Sequence, residues 1–131
     1  ILADIPKNLP ALSQAAKIQK RCSHVGFDWH NIQDVFAKIE EEVIEVKEEL
    51  LGDQQGLAEE LGDLMFAVVN LCRHAKQDPE NLLRKANQKF TKRFHGVEQQ
   101  VENSGKAFEQ HNLETLEQYW QNVKQSEKSQ R

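Results

Sequence analysis

Between Ile32 and Leu50, apolar residues recur as Ile32, Phe36, Ile39, Val43, Val46 and Leu50, at alternating steps of four and three. That alternation keeps them on one stripe of an α-helix, because a helix turns every 3.6 residues whereas a strand needs a period of two. After Gly52, Asp53 and Gly56 the same kind of spacing resumes with Leu57, Leu61, Leu64, Met65, Val68, Leu71 and Cys72. Two long amphipathic helices joined by a short polar loop are predicted to lie antiparallel. A chain built around such a pair is all-α, and an antiparallel helical bundle is the expected architecture.

Shorter helical patterns flank this pair. Leu12, Ala15, Ala16, Ile18, Cys22 and Val25 predict a first helix from Pro10 to His24, ended before Gly26. The connector HVGFDWH at 24–30 carries apolar bulk that either packs inward or lines a site. Asp78 followed by Pro79 reads as an N-cap with proline at the first helical position. The helix that follows runs to about Asn103 along Leu83, Ala86, Phe90, Phe94, Val97 and Val101, with Gly105 at its end. A last helix is predicted from Asn112 to about Gln125, carrying Leu113, Leu116, Tyr119, Trp120 and Val123. The expected organisation is a linker-like segment at 1–10, one helical domain at 11–125 and a polar, frayed tail at 126–131.

At 131 residues the chain has length for one domain with a sizeable core. A formal net charge of -4 gives no general electrostatic reason to expect nucleic acid. No apolar run approaches the roughly 20 residues of a membrane span, and no signal-peptide h-region is present. The expectation is a cytoplasmic protein that engages neither nucleic acid nor membrane. Cys22 and Cys72 sit in apolar helical positions away from any metal-binding spacing, as packed, reduced thiols would.

The chemistry concentrates on the two central helices. At about 100° per residue, Lys38, Glu42, Glu45 and Glu49 fall on one flank of the first seam, with Glu41 a step further round. Glu60, Asp63, Ala67 and Asn70 fall on one flank of the second. If the helices pair, Glu42, Glu45, Glu60 and Asp63 converge. Four carboxylates share a small volume only with a strong rise in pKa or a compensating cation. Oxygen ligands without His or Cys select a hard ion, Mg²⁺ or Mn²⁺, and such ions commonly partner polyphosphates. A Glu-rich run on a helix is more often a solvated face; the position of these acids beside two apolar seams argues otherwise.

The fourth helix adds a basic line, Lys85, Lys89 and Arg93, with Arg84 and Lys92 nearby. Such rows commonly serve solubility, but beside an acidic metal nest they fit phosphate. Trp29 and Trp120 are candidates to stack on a base or ribose, although tryptophan is more often a packing residue. Asn70 and Trp29 complete the candidate substrate contacts. The five histidines form no ligand pattern, and neither a covalent nucleophile set nor a P-loop is present.

The runs KIEEEVIEVKEEL, LAEELGDLMFAVVNLCRH and KANQKFTKRF, with KIQKRCSHVGFDW upstream and LETLEQYW downstream, resemble the MazG nucleotide pyrophosphohydrolases over nearly the whole chain. Their EExxE and ExxD motif stands here as Glu41, Glu42, Glu45, Glu60 and Asp63. The resemblance implies an all-α NTP pyrophosphatase fold completed by homodimerisation. It implies Mg²⁺-dependent hydrolysis of NTPs or dNTPs between the α- and β-phosphates, to monophosphate and pyrophosphate, with Mn²⁺ a possible substitute. Glu42, Glu45, Glu60 and Asp63 would be the metal ligands. Lys38 and Glu41 would lie in the nucleotide site, Glu41 orienting or deprotonating the attacking water. Lys89 and Arg93 match phosphate-contacting positions, and Trp120 a nucleotide contact. Some members carry two such domains in tandem, and this chain is similar to the C-terminal one. A dUTP pyrophosphatase, a phosphoribosyl-ATP pyrophosphohydrolase and a non-catalytic helical interaction module are the alternatives, and the sequence names no base-reading side chain.

Overall fold

The computed structural model describes residues 1–130. All regular structure among them is helical: α1 (Ala11–Ser23), α2 (Ile32–Glu49), α3 (Gln54–His74), α4 (Pro79–Asn103), a 3₁₀ turn (Phe108–Gln110) and α5 (Leu113–Ser129). They fall into two compact units, Ile1–Leu82 and the residues from Leu83 onward.

Capping explains several boundaries. Asn31 accepts from the Asp34 amide at 2.9 Å and starts α2, and Asn112 does the same for α5 through Thr115 at 2.8 Å. Asp53 accepts from the Gly56 amide at 2.6 Å, so α3 begins at Gln54, and Gly56 lies in its first turn rather than in the connecting loop. α3 stops where Lys76 takes a left-handed φ of 60° and the Gln77 amide returns to the Cys72 carbonyl at 2.9 Å. Gly105, at φ 74°, follows the end of α4.

In the first unit, α2 and α3 run antiparallel. Glu49 lies against Gly56, Glu45 against Glu60 and Glu42 against Asp63, one number falling as the other rises. The predicted seam is not what the pair buries. Val35 and Glu42 are the buried residues of α2, whereas Phe36 is 53% exposed and Leu50 61%. Of the other seam residues, Ile39 and Val46 are half-buried and Ile32 and Val43 exposed. α1 packs on α3 through Gln19, whose amide donates to the Phe66 carbonyl at 2.9 Å. In the segment before α1, Ile5 is buried, and Arg21 of α1 holds both Asp4 and the Ile1 carbonyl.

In the second unit, α4 and α5 run antiparallel, with Gln100 donating to the Tyr119 carbonyl and Arg93 to Glu127. They approach closely at Gly96, where a Cβ would stand 2.7 Å from a methyl of Val123. Valine is stiff at χ1 and cannot swing aside, so the crossing selects glycine. α5 extends four residues past the expected end at Gln125, because Glu127 is tied to Arg93 and the helix continues to Ser129.

Candidate active site

The site of interest in the first unit lies on the acidic flanks of α2 and α3. Glu42, Glu60 and Asp63 each bring one carboxylate oxygen within 4.8 Å of the other two. Glu45, the fourth expected ligand, is not in that close group but stands against Glu60 as its hydrogen-bond partner. Two carboxylates share a hydrogen bond only if one keeps a proton. The Glu45 contact, the loss of water and the charges of Glu45, Glu42 and Asp63 together push the Glu60 carboxyl up to about 7.

Glu42 is 5% exposed, which sets it apart from its neighbours Glu40, Glu41 and Glu48 on the solvent side. A solvated face accounts for those three and not for Glu42. Lys38 meets Glu42 at 3.0 Å and Glu41 at 3.4 Å, and the Glu42 hydrogen bond keeps its ammonium charged above the usual lysine range. One cation is not enough: Glu42 Oε2 and Glu60 Oε2 are sealed from solvent and have no hydrogen-bond partner among the described residues. Sealed, unpartnered carboxylate oxygens gathered at this spacing fit a hard divalent cation, which is held by oxygen ligands alone.

Beside the acids lies a recess of about 490 Å³ within the same unit. Lys38, Trp29 and Asn70 all line it, so three residues expected to touch substrate do share one space. At its edge Asp28 Oδ1 accepts from Arg73 at 2.6 Å and meets His74 Nε2 at 2.9 Å, while Asn70 Oδ1 accepts from Arg73 at 2.7 Å. Burial alone would raise the Asp28 carboxyl, but the Arg73 and His74 hydrogen bonds outweigh it and hold it at about 2. This network anchors the GFDW connector to the end of α3. Sequence reasoning missed it, because Asp28 and Arg73 are 45 positions apart and no periodicity links them.

Lys89, Arg93 and Trp120 belong to the second unit. Lys85, Lys89 and Lys92 line a shallow recess there, with Glu127 beside them. Arg93 is not a free cation: it pairs with Glu127 at 3.1 Å and lies 5.9 Å from the Trp120 ring centre. Trp120 packs on Phe90 at 5.1 Å between ring centres.

An acid cluster lies on the inner flanks of an antiparallel helix pair, with Lys38 beside it and a recess lined in part by aromatic residues next to it, in an all-α chain. Residues 30–101 match the MazG nucleotide pyrophosphohydrolase domain, and the chain belongs to that family. It is 50% identical over 129 residues to the nucleoside triphosphate pyrophosphohydrolase of Escherichia coli K12, covering 96% of this chain and 49% of that protein. It is 45% identical over 123 residues to the nucleoside triphosphate pyrophosphohydrolase/pyrophosphatase MazG of Thermotoga maritima, covering 94% of this chain and 48% of that one. Bacillus subtilis YabN is 38% identical over 130 residues, or 98% of this chain and 27% of that protein. The chain thus spans about half the length, or less, of these relatives. No helix among the described residues is long and apolar enough to cross a membrane.

Proposed function

We propose that the chain hydrolyses nucleoside triphosphates, ribo or deoxy, between the α- and β-phosphates, releasing the monophosphate and pyrophosphate as nucleotide-pool housekeeping in the cytoplasm. The observation that carries this reading is the gathering of Glu42, Glu60 and Asp63 oxygens within 4.8 Å. In a chain of this family, that cluster is best explained as the seat of Mg²⁺, with Mn²⁺ as a substitute.

Glu42, Glu45, Glu60 and Asp63 would hold the ion, which would supply Lewis acidity to the α-phosphate and to the attacking water. To serve as a ligand, Glu60 would have to be deprotonated. Glu41, on the solvent side of Lys38, orients or accepts a proton from the attacking water. Lys38 keeps Glu42 in position and faces the developing negative charge. Trp29 and Asn70 contact the nucleoside. By the family resemblance, Lys89 and Arg93 stand at phosphate-contacting positions and Trp120 at a nucleotide-contacting one.

A homodimer completes the fold. The support is the apolar surface α2 and α3 leave in solvent, including Phe36, Ile44, Met65 and Phe66, each 45% exposed or more. A surface of that kind on two paired helices suits a second copy.

Turnover of an NTP panel with Mg²⁺ by the wild type, Glu42→Gln and Asp63→Asn tests the reading. The variants should keep the helical circular dichroism signal and lose at least about a hundredfold in kcat. Full activity in either variant would remove the cluster from the mechanism.

A further inference from the structure

Asn70 can present its amide to Arg73 in one sense only. Arg73 Nη2 donates to Asn70 Oδ1 at 2.7 Å, and Arg73 Nε donates to the same oxygen at 3.2 Å. An amide nitrogen has no lone pair to offer a guanidinium, so these bonds fix Oδ1 toward Arg73 and leave Nδ2 for other partners. Arg73 is fixed in turn: Nη2 also donates to Asp28 Oδ1 at 2.6 Å, and His74 Nε2 meets that Asp28 oxygen at 2.9 Å. Among the described residues, the sealed side-chain atoms without a hydrogen-bond partner are Gln19 Oε1, Glu42 Oε2 and Glu60 Oε2. Asn70 Nδ2 also has no partner there but is not one of the sealed atoms, so its two hydrogens can be reached from outside.

Asn70, Arg73 and Asp28 line the recess of about 490 Å³, together with the partly exposed rings of Trp29 and Phe66. Lys38 lines it too and pairs with Glu42, so the recess adjoins the acid cluster. Asn70 follows Asp63 of that cluster by seven positions, two turns along the same flank of α3 and about 10 Å at 1.5 Å per residue. That separation suits a nucleoside whose phosphate lies at the cluster. Residue type argues the same way. Aspartate at position 70 would accept the two Arg73 bonds more strongly, because a charged acceptor makes the stronger hydrogen bond. What the amide adds is the pair of donors on Nδ2.

We propose that Asn70 Nδ2 donates to an acceptor atom of the bound nucleoside, on its base or its sugar, and that Asp28 and Arg73 are positioning residues that aim it. The inference deepens the nucleotide-hydrolase reading above and rests on it. Asp28 holds Arg73, Arg73 holds the amide oxygen, and the amide nitrogen meets the ligand. The connector that carries Asp28 and Trp29 is thereby coupled to nucleoside binding through α3.

Calorimetric binding of UMP with Mg²⁺, which needs no turnover, tests the proposal on the wild type, Asn70→Asp and Arg73→Lys. Asn70→Asp keeps an acceptor for both Arg73 bonds and replaces the two donors by a second acceptor. The fold should hold while UMP affinity falls at least about tenfold. Ribose 5-phosphate locates the partner atom: a loss for UMP alone places it on the base, and a loss for both ligands places it on the sugar. Arg73→Lys keeps a cation for Asp28 but has one nitrogen to offer, so the amide loses its two-point grip. UMP should then bind about threefold to tenfold more weakly, and in UTP hydrolysis KM should rise more than kcat falls. A merely structural role would lower the unfolding midpoint and leave KM alone. Undiminished UMP affinity in Asn70→Asp, or a wild type that does not bind UMP, overturns the inference; an unchanged KM in Arg73→Lys overturns the positioning role. Wild-type hydrolysis of UTP separates the two claims: turnover with UMP affinity indifferent to Asn70→Asp sinks the Asn70 assignment and keeps the hydrolase, whereas no turnover sinks the hydrolase.

Discussion

Glu45 stands against Glu60 across the α2–α3 pair, and the contact keeps a proton on Glu60 up to about pH 7. Its ordinary value is 4.5, so the folded state binds more protons than the unfolded one between the two values. Without divalent ions, the contribution of Glu60 to stability is therefore present below about 4.5 and is lost as pH rises through 7. Thermal unfolding in EDTA should show the wild-type midpoint falling over this window, and Glu60→Gln should flatten the fall. An unchanged pH profile in Glu60→Gln would contradict the shared proton.

The same proton competes with a bound metal. Mg²⁺ or Mn²⁺ binding at pH 6 should release close to one proton, read as a calorimetric heat that varies with the ionisation enthalpy of the buffer. At pH 8 the release should vanish. Heats independent of buffer at pH 6 would argue that Glu60 is not displaced from its proton by metal.

Asp28 titrates in the opposite sense. Its partners Arg73 and His74 hold it at about 2, against an ordinary 3.8, so its stabilisation is present above about pH 4 and is lost as pH falls toward 2. Both side chains of the Asp28–Arg73 pair are about four-fifths buried, and Asp28→Asn should cost about 1–3 kcal/mol at neutral pH. Chemical denaturation measures it; a change below about 0.5 kcal/mol would place the GFDW connector outside the folded framework.

Gly96→Ala should destabilise the α4–α5 pair by about 1–3 kcal/mol, because the new methyl falls 2.7 Å from a rigid valine side chain. Pairing it with Val123→Ala should recover part of the loss, and a double-mutant cycle reads the coupling directly. Additive effects would mean that the crossing does not depend on this contact.

The helix count and pairing are legible in the sequence, because the steps of three and four in α2 and α3 leave no other periodic reading. The gathering of Glu42, Glu60 and Asp63 follows from the same geometry. What pattern alone misjudges is which flank of α2 turns inward: Phe36 and Leu50 look like seam residues, yet Val35 and Glu42 are the ones buried. Helical spacing does not say which flank meets a partner within the same chain. Gln19 left a signal, a polar residue in an apolar stripe, but its meaning depends on the Phe66 carbonyl 47 positions away. The Asp28–Arg73–His74 network left none, since long-range ion pairs have no period. Arg93 reads as a basic-row residue and folds onto Glu127, in a tail expected to fray.

The most direct test of the central claim is product analysis with ³¹P detection on NTPs and dNTPs in Mg²⁺, using the wild type and Asp63→Asn. The account predicts monophosphate and pyrophosphate in equal amounts from the wild type, with the reaction lost in Asp63→Asn. Orthophosphate with a nucleoside diphosphate, or unchanged turnover in Asp63→Asn, would contradict it.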